Sequence, residues 1–248
     1  MEIVLDKKSE KGKEILRLIR KCFFSFDGVL ALGGDGTMLK SVHLYNFNRV
    51  FLGLNCGHRG SLVNDIVEDY LERIRDKKFE IHQFPLLEVE TEDGWKGLGL
   101  EVYVKGIGPK TCKTEVRVDG TTITERLAGD GIDIATALAS GGYFVPLGGS
   151  AVHPKLPVIC FAPIVRNTPF QIMPMIFPDS SVLEVTLLSP PRETKGWCDG
   201  AVRIPRFRKL TVRKADKILK LAFWEGEDFN KRLVNKIMKV PEEKNADN

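Results

Sequence analysis

The sequence predicts an α/β N-terminal domain on an open parallel sheet, then an all-β C-terminal domain, then a closing C-terminal helix. Three observations carry this. Up to about residue 84, continuous apolar runs that end in Gly-rich loops alternate with stretches of helical spacing. Beyond it, apolar residues recur at every second position, punctuated by Gly and Pro. The helical period returns at the end, where Leu233, Val234 and Ile237 share one face of Phe229 to Met238. The expected divisions are 1–84, 85–224 and 225–248, the last a helix packing back on the first domain with a frayed polar tail from Pro241.

Each element has its own justification. Glu2–Leu5 is a short apolar start, and Ser9 is placed to N-cap a helix over Gly12 to Lys21 that carries Ile15, Leu18 and Ile19. Val29 to Leu32 reads as a buried strand ended by Gly33-Gly34-Asp35-Gly36, and Thr37 to Leu44 as the helix after it. Little room is left for a second strand between the first helix and Asp27. Phe51–Leu54 is another buried strand closed by a loop with Gly57 and Gly60. Asp65 to Arg75 is amphipathic, with Ile66, Tyr70, Leu71 and Ile74 on one side. The antiparallel, period-two segments are Leu87–Val89–Thr91, Val102–Val104, Val116–Val118, Val182–Glu184–Thr186–Leu188, Leu210–Val212 and Leu219–Leu221–Phe223.

Composition excludes several classes. Of 248 residues 43% are apolar and 28% charged, which is enough to build a core and argues against disorder. No run approaches about 18 apolar residues, and no basic-then-apolar leader precedes a small-residue cleavage site. A cytoplasmic chain that neither spans a membrane nor enters the secretory route is the expectation. Net charge is +4, from 37 Lys and Arg against 33 Asp and Glu, too small an excess to imply nucleic acid. The basic cluster Arg203, Arg206, Arg208, Lys209, Arg213 and Lys214 reads as a solvated strand face or an anionic partner site. Five scattered cysteines without a CxxC pair fit reduced thiols rather than disulfides or a zinc site, and no metal ligands are assigned.

The sharpest chemical feature is Gly33-Gly34-Asp35-Gly36-Thr37, between a buried strand and a helix. Its glycines let backbone come close to a ligand, and the helix N-terminus offers unpaired N–H groups to a phosphate. No GxxxxGK[ST] occurs, so this is not a Walker loop. An acid in the middle of an anion cradle makes sense if Asp35 holds magnesium or accepts a hydroxyl proton. The plainer alternative is that Asp35 caps a helix starting near Thr37.

On these residues the chain resembles the NAD kinases, which phosphorylate the 2′-hydroxyl of NAD with ATP or, in some members, polyphosphate. The resemblance runs through Gly33 to Leu39, Gly53 to Gly60 (Gly-Leu-Asn-Cys-Gly-His-Arg-Gly), Gly129 to Ile132, Gly148 to Pro154 and Asp199-Gly200, covering about Asp27 to Met238. The second loop separates it from lipid kinases, which share only the GGDGT loop. It implies that Asp35 is the general base or orienting acceptor, with Gly34, Gly36, Thr37 and Lys40 at the nucleotide, Asn55 and Gly57 shaping the second loop, and Glu101 and Asp130 binding the dinucleotide. Tyr143 would sit beside the base, with Ser140, Gly141, Gly142 and Pro146 in the same pocket segment. It also implies Mg²⁺, ATP or polyphosphate as donor, NAD as acceptor, and a homodimer or homotetramer; neither nucleic acid nor membrane is implied.

The chain departs from the family pattern at the pocket. Leu100 stands where the family has the Asn of an Asn-Glu pair, Ala128 and Phe84 replace basic residues, and Pro146 replaces a serine. The Thr-Pro-Thr-Gly-Ser-Thr-Ala-Tyr segment becomes Thr136 to Tyr143, matching only at Thr136, Ser140 and Tyr143. Each lost buried polar contact is worth about 1–3 kcal/mol. Two rival readings therefore stand beside the kinase: a nucleotide-binding relative with weak or no turnover, and a kinase for another hydroxyl.

Overall fold

A computed structural model describes residues 1–22, 26–57, 60–166 and 172–238. The chain divides into two units, Met1–Gln83 with Leu219–Asn248, and Phe84–Ile218. No helix among the described residues is long and apolar enough to cross a membrane.

The first unit begins with β1 (Glu2–Leu5) and α1 (Glu10–Ile19), whose Ser9 cap accepts a hydrogen bond from the Gly12 N–H at 3.0 Å. β2 (Val29–Gly33) is buried at every position, as a parallel strand covered on both faces must be. α2 (Asp35–Leu44), β3 (Val50–Asn55), α3 (Tyr70–Arg75) and the start of β4 (Phe79–Thr91) follow. β1, β2 and β3 pair in parallel, with Val4 opposite Ala31 and Ala31 opposite Gly53. Leu30, Leu32, Leu52 and Leu54 form the core against Ile15 and Ile19 of α1 and Tyr70 and Ile74 of α3.

The second unit is antiparallel. It contains the rest of β4, then β5 (Lys96–Gly99), β6 (Glu101–Gly106), β7 (Cys112–Val118), β8 (Thr121–Thr136), β9 (Val158–Arg166), β10 (Met175–Pro178), β11 (Leu183–Leu187), β12 (Thr194–Cys198), β13 (Val202–Ile204) and the first part of β14 (Lys209–Trp224). β8 is central, pairing with β6, β7 and β9. The inward residues Val102, Val104, Ile132, Ile134, Phe161, Leu183 and Val185 make the main core. A smaller cluster of Ala135, Phe144, Val152, Cys160 and Ala162 ties the segment after β8 to the sheet. All five cysteines are free thiols.

β14 then re-enters the first unit, which ends in α4 (Phe229–Met238). Leu219 to Phe223 has a neighbour its alternation does not suggest: Lys220, Leu221 and Ala222 pair in parallel with Val50, Phe51 and Leu52 of β3, and β14 also pairs with β4. Periodicity fixes which residues face a core and says nothing of the partner strand. Two helices also differ from expectation. α2 starts at Asp35 rather than Thr37, because Gly34 supplies an extended N-cap. α3 keeps only the last part of the expected Asp65 to Arg75 helix. Its first residues are claimed by Trp224, whose backbone N–H donates to Asn64 Oδ1 and whose indole N–H donates to the Asp65 carbonyl, each at 2.9 Å.

Candidate functional site

In the first unit the sheet register sets up the site. Gly33 ends β2 directly opposite Asn55, which ends β3, so both Gly-rich loops leave the carboxyl edge of the sheet side by side. That edge is where open α/β sheets receive ligands. The Cys56 N–H donates to the Gly33 carbonyl at 3.1 Å, joining the loops. A Cβ on Gly33 would lie 2.2 Å from Thr37 Oγ1, so only glycine lets the first turn of α2 fold back on the strand.

Asp35 is the first residue of α2, and its carboxylate does not cap that helix. Instead Oδ1 and Oδ2 both accept from the Ser61 N–H at 2.8 Å, and Oδ1 accepts from the Leu62 N–H at 2.8 Å. A carboxylate has about four lone-pair directions, so it can still accept a hydroxyl proton. Gly34 and Gly36 flank it; beyond their chain neighbours and the backbone of α2, no atom lies within 4 Å of where a Cβ would stand, and neither has a left-handed φ. The fold itself does not require glycine there, and both positions lie at the N-terminus of α2, where unpaired N–H groups can meet an anion.

The other expected residues of this unit gather nearby. Asn55 is 8% exposed; its Oδ1 accepts from the Gly57 N–H at 3.0 Å, and its Nδ2 donates to Asp65 Oδ1 at 3.3 Å. Thr37 is buried, and Lys40 is exposed one helical turn beyond it. His58 and Arg59 lie outside the described residues.

In the second unit Glu101 and Tyr143 come together. Asp199 Oδ1 accepts from the Leu100 and Glu101 N–H groups at 2.9 and 2.8 Å, fixing the start of β6. Glu101 Oε1 accepts from the Tyr143 N–H at 3.2 Å, and a Cβ on Gly142 would sit 2.7 Å from that oxygen. Glycine at 142 thus makes room for the glutamate. The Tyr143 hydroxyl accepts from Lys105 Nζ at 3.0 Å, with Nζ 4.6 Å from its ring centroid. Tyr103 meets Tyr143 edge-on at 5.6 Å and stacks on Trp197 at 5.4 Å.

Leu100 contributes backbone only, its side chain being 1% exposed. Ser140 is buried, with its hydroxyl donating to the Ala137 carbonyl at 2.7 Å; Asp130, Gly142 and Pro146 are exposed, and Gly141 is half-buried.

Sequence reasoning did not single out Ser61, Leu62, Lys105, Tyr103, Trp197 or Asp133 as site residues. Backbone donors carry no side-chain signal. Asp133 did carry one, as a lone acid in the apolar run Ile132 to Ala135. It lies opposite Tyr103, is 0% exposed, and neither oxygen has a hydrogen-bond partner among the described residues. Burial, reinforced by the nearby Glu101 charge, pushes its carboxyl well above the usual range, against a smaller pull from Lys105. Burial likewise pushes the Cys112, Cys160 and Cys198 thiols up to about 12. The basic cluster divides: Arg213 pairs with Glu88 and Glu90 and Lys214 with Asp179, while Arg203 and Arg206 face a cleft with Arg192 and Lys195. Among the described residues no three His, Cys, Asp or Glu side chains assemble a metal cage.

Comparison with known proteins bears on both units. Residues 100–221 match the ATP-NAD kinase C-terminal domain family. The NAD kinase of Chlorobium limicola is 31% identical over 224 residues, covering 86% of this chain and 76% of that protein. The Gemmatimonas aurantiaca NAD kinase is 30% identical, covering 85% and 77%. Among solved structures, the fold is similar to yeast NADH kinase complexed with NADH, at a TM-score of 0.82 and 18% identity over 95% of this chain and 86% of that one. It is also similar to an Archaeoglobus fulgidus NAD kinase in complex with ATP, at 0.77 and 24% over 95% and 97%. With a relative above 30% identity covered for three quarters of its length, the chain belongs to the NAD kinase family.

Proposed function

We propose that the chain is an NAD kinase, passing the γ-phosphoryl group of ATP to the 2′-hydroxyl of the adenosine ribose of NAD to give NADP and ADP. The observation that carries this is Asp35, a carboxylate at the start of α2 held by two backbone N–H groups and flanked by Gly34 and Gly36. The ribose oxygen attacks the γ-phosphorus, the bond to the β–γ bridging oxygen breaks, and the hydroxyl proton passes to Asp35. The α2 N-terminus and Lys40 face the phosphates, and Asn55 and Gly57 hold the second loop. In the second unit Glu101 accepts a ribose hydroxyl and Tyr143 lies beside the base, with Asp130 and the Ser140 to Pro146 segment completing the nucleotide contacts. Polyphosphate is the alternative donor. Mg²⁺ would come bound to the donor's phosphates, as suits an ion that keeps most of its waters, and no residue of the chain is assigned to it. The protein acts in the cytoplasm as a homodimer or homotetramer.

A second reading, a nucleotide binder with little turnover, is favoured by Leu100, a buried apolar side chain where the family carries asparagine. One experiment separates them. Purified protein with ATP, Mg²⁺ and NAD is expected to form NADP, and Asp35→Asn to slow it by about 10²–10⁴-fold. NAD binding by calorimetry with no NADP formed, and equal in the Asp35→Asn variant, would establish the second reading.

A further inference from the structure

The donors that hold Asp35 are themselves held from the far end of the chain. In α4, Arg232 Nη1 donates to the Ser61 carbonyl at 3.2 Å and to the Val63 carbonyl at 2.8 Å. The Arg232 side chain is only 10% exposed; its Nε donates to Glu227 Oε1 at 2.9 Å, and its guanidinium carbon lies 4.4 Å from the Phe223 ring centroid. The peptide between Ser61 and Leu62 therefore has a cation on its carbonyl oxygen and the Asp35 carboxylate on its N–H. Hydrogen bonds to charged groups at both ends of one peptide strengthen each other and fix its plane. Nη1 of this largely buried side chain thus holds two carbonyls of the one short segment whose N–H groups meet Asp35.

We propose that Arg232 is a positioning residue for Asp35, acting through the Ser61–Leu62 peptide, so that the C-terminal helix completes the phosphoryl-transfer loop. This rests on the kinase reading for its rate consequence and not for its geometry. A carboxylate that must meet a hydroxyl oxygen in line with a phosphate loses rate when it is displaced by about 1 Å.

The test compares Arg232→Ala, Arg232→Lys and Phe229→Leu in the full chain. Phe229 is buried and packs edge-on against Phe223 at 5.3 Å, so Phe229→Leu loosens α4 without touching either carbonyl. Arg232→Ala is expected to lower kcat for NADP formation by about 10–100-fold, with KM for NAD and ATP changed less than about threefold. Added guanidinium ion should restore part of that loss, Arg232→Lys should retain more activity than Arg232→Ala, and Phe229→Leu should keep kcat near that of the parent. An equal fall in kcat for Phe229→Leu and Arg232→Ala at matched melting temperature, or no rescue by guanidinium, overturns the proposal. The geometry is read separately by the amide proton resonances of Ser61 and Leu62. Both are expected to move in Arg232→Ala and in Asp35→Asn. If Arg232→Ala leaves them in place, the brace is refuted whether or not the protein makes NADP; if they move and no NADP forms, only the kinase reading fails.

Discussion

Asp35 and Asp133 are both aspartates beside backbone of a buried sheet, and the protein treats them in opposite ways. Asp35 follows the end of a parallel strand, accepts bonds from two N–H groups, and is flanked by glycines that leave open space. Asp133 lies inside an antiparallel strand, is 0% exposed, and finds no hydrogen-bond partner among the described residues. The second environment makes the charged form costly. An acid equipped for chemistry is thus distinguished by the donors and the room around it, and depth of burial alone does not mark it.

The contrast is broken most severely by exchanging each acid for its amide. Asp35→Asn is expected to cost about 10²–10⁴-fold in turnover, and Asp133→Asn less than about twofold, measured as NADP formed at saturating NAD and ATP. Comparable losses at both positions would erase the distinction. Next in size is Asn64, which is fully buried and holds the second loop by donating to the Gly53 and Ala222 carbonyls at 3.1 and 2.9 Å and accepting from the Trp224 N–H. Asn64→Ala leaves those backbone groups without partners and should cost about 3–5 kcal/mol in urea unfolding at pH 7. A loss under about 1 kcal/mol would mean that water or a loop shift replaces the amide.

How much of this was legible in the sequence follows from the range of the interactions concerned. The strand, Gly-rich loop and helix around Asp35 are local and readable. The register that sets Gly33 against Asn55 follows from two adjacent buried runs. The Asp35 partners were not readable, because Ser61 and Leu62 act through backbone N–H groups that any residue supplies. The shortened α3 was hidden for another reason: its would-be first turn is taken by Trp224, and nothing in the amphipathic pattern of Asp65 to Arg75 signals a competitor so distant in the chain. The same distance hid the parallel pairing of Leu219 to Phe223 with β3, because alternation cannot name a partner.

A smaller effect sharpens the second unit's half of the comparison. Tyr143→Phe removes the hydroxyl that accepts from Lys105 Nζ and keeps the ring against Tyr103. One such bond is worth about 1 kcal/mol, so KM for NAD should rise about fivefold with kcat unchanged. An unchanged KM would mean that the Tyr143 hydroxyl and its bond to Lys105 take no part in holding NAD.

The smallest expected change in activity comes with a diagnostic pH dependence. Asp133 faces Glu101, Tyr103 and Lys105 from β6 and Cys160 from β9, with the burial penalty first and the Glu101 charge second in raising its carboxyl. Because the folded chain keeps a proton that the unfolded chain releases near the ordinary value of about 3.9, unfolding releases a proton at the pH values between the two. The contribution of Asp133 to stability is complete below the unfolded value and declines as pH rises through the folded one. Asn has nearly the same shape and no proton to lose. The melting temperature of Asp133→Asn should therefore exceed that of the parent by a few degrees at pH 8, and the gap should shrink as pH falls to 5. A gap of constant size would mean that the folded chain holds no extra proton on Asp133 over this range, and a variant that melts lower throughout would mean that the fold stabilises the charged carboxylate; either would remove its contrast with Asp35.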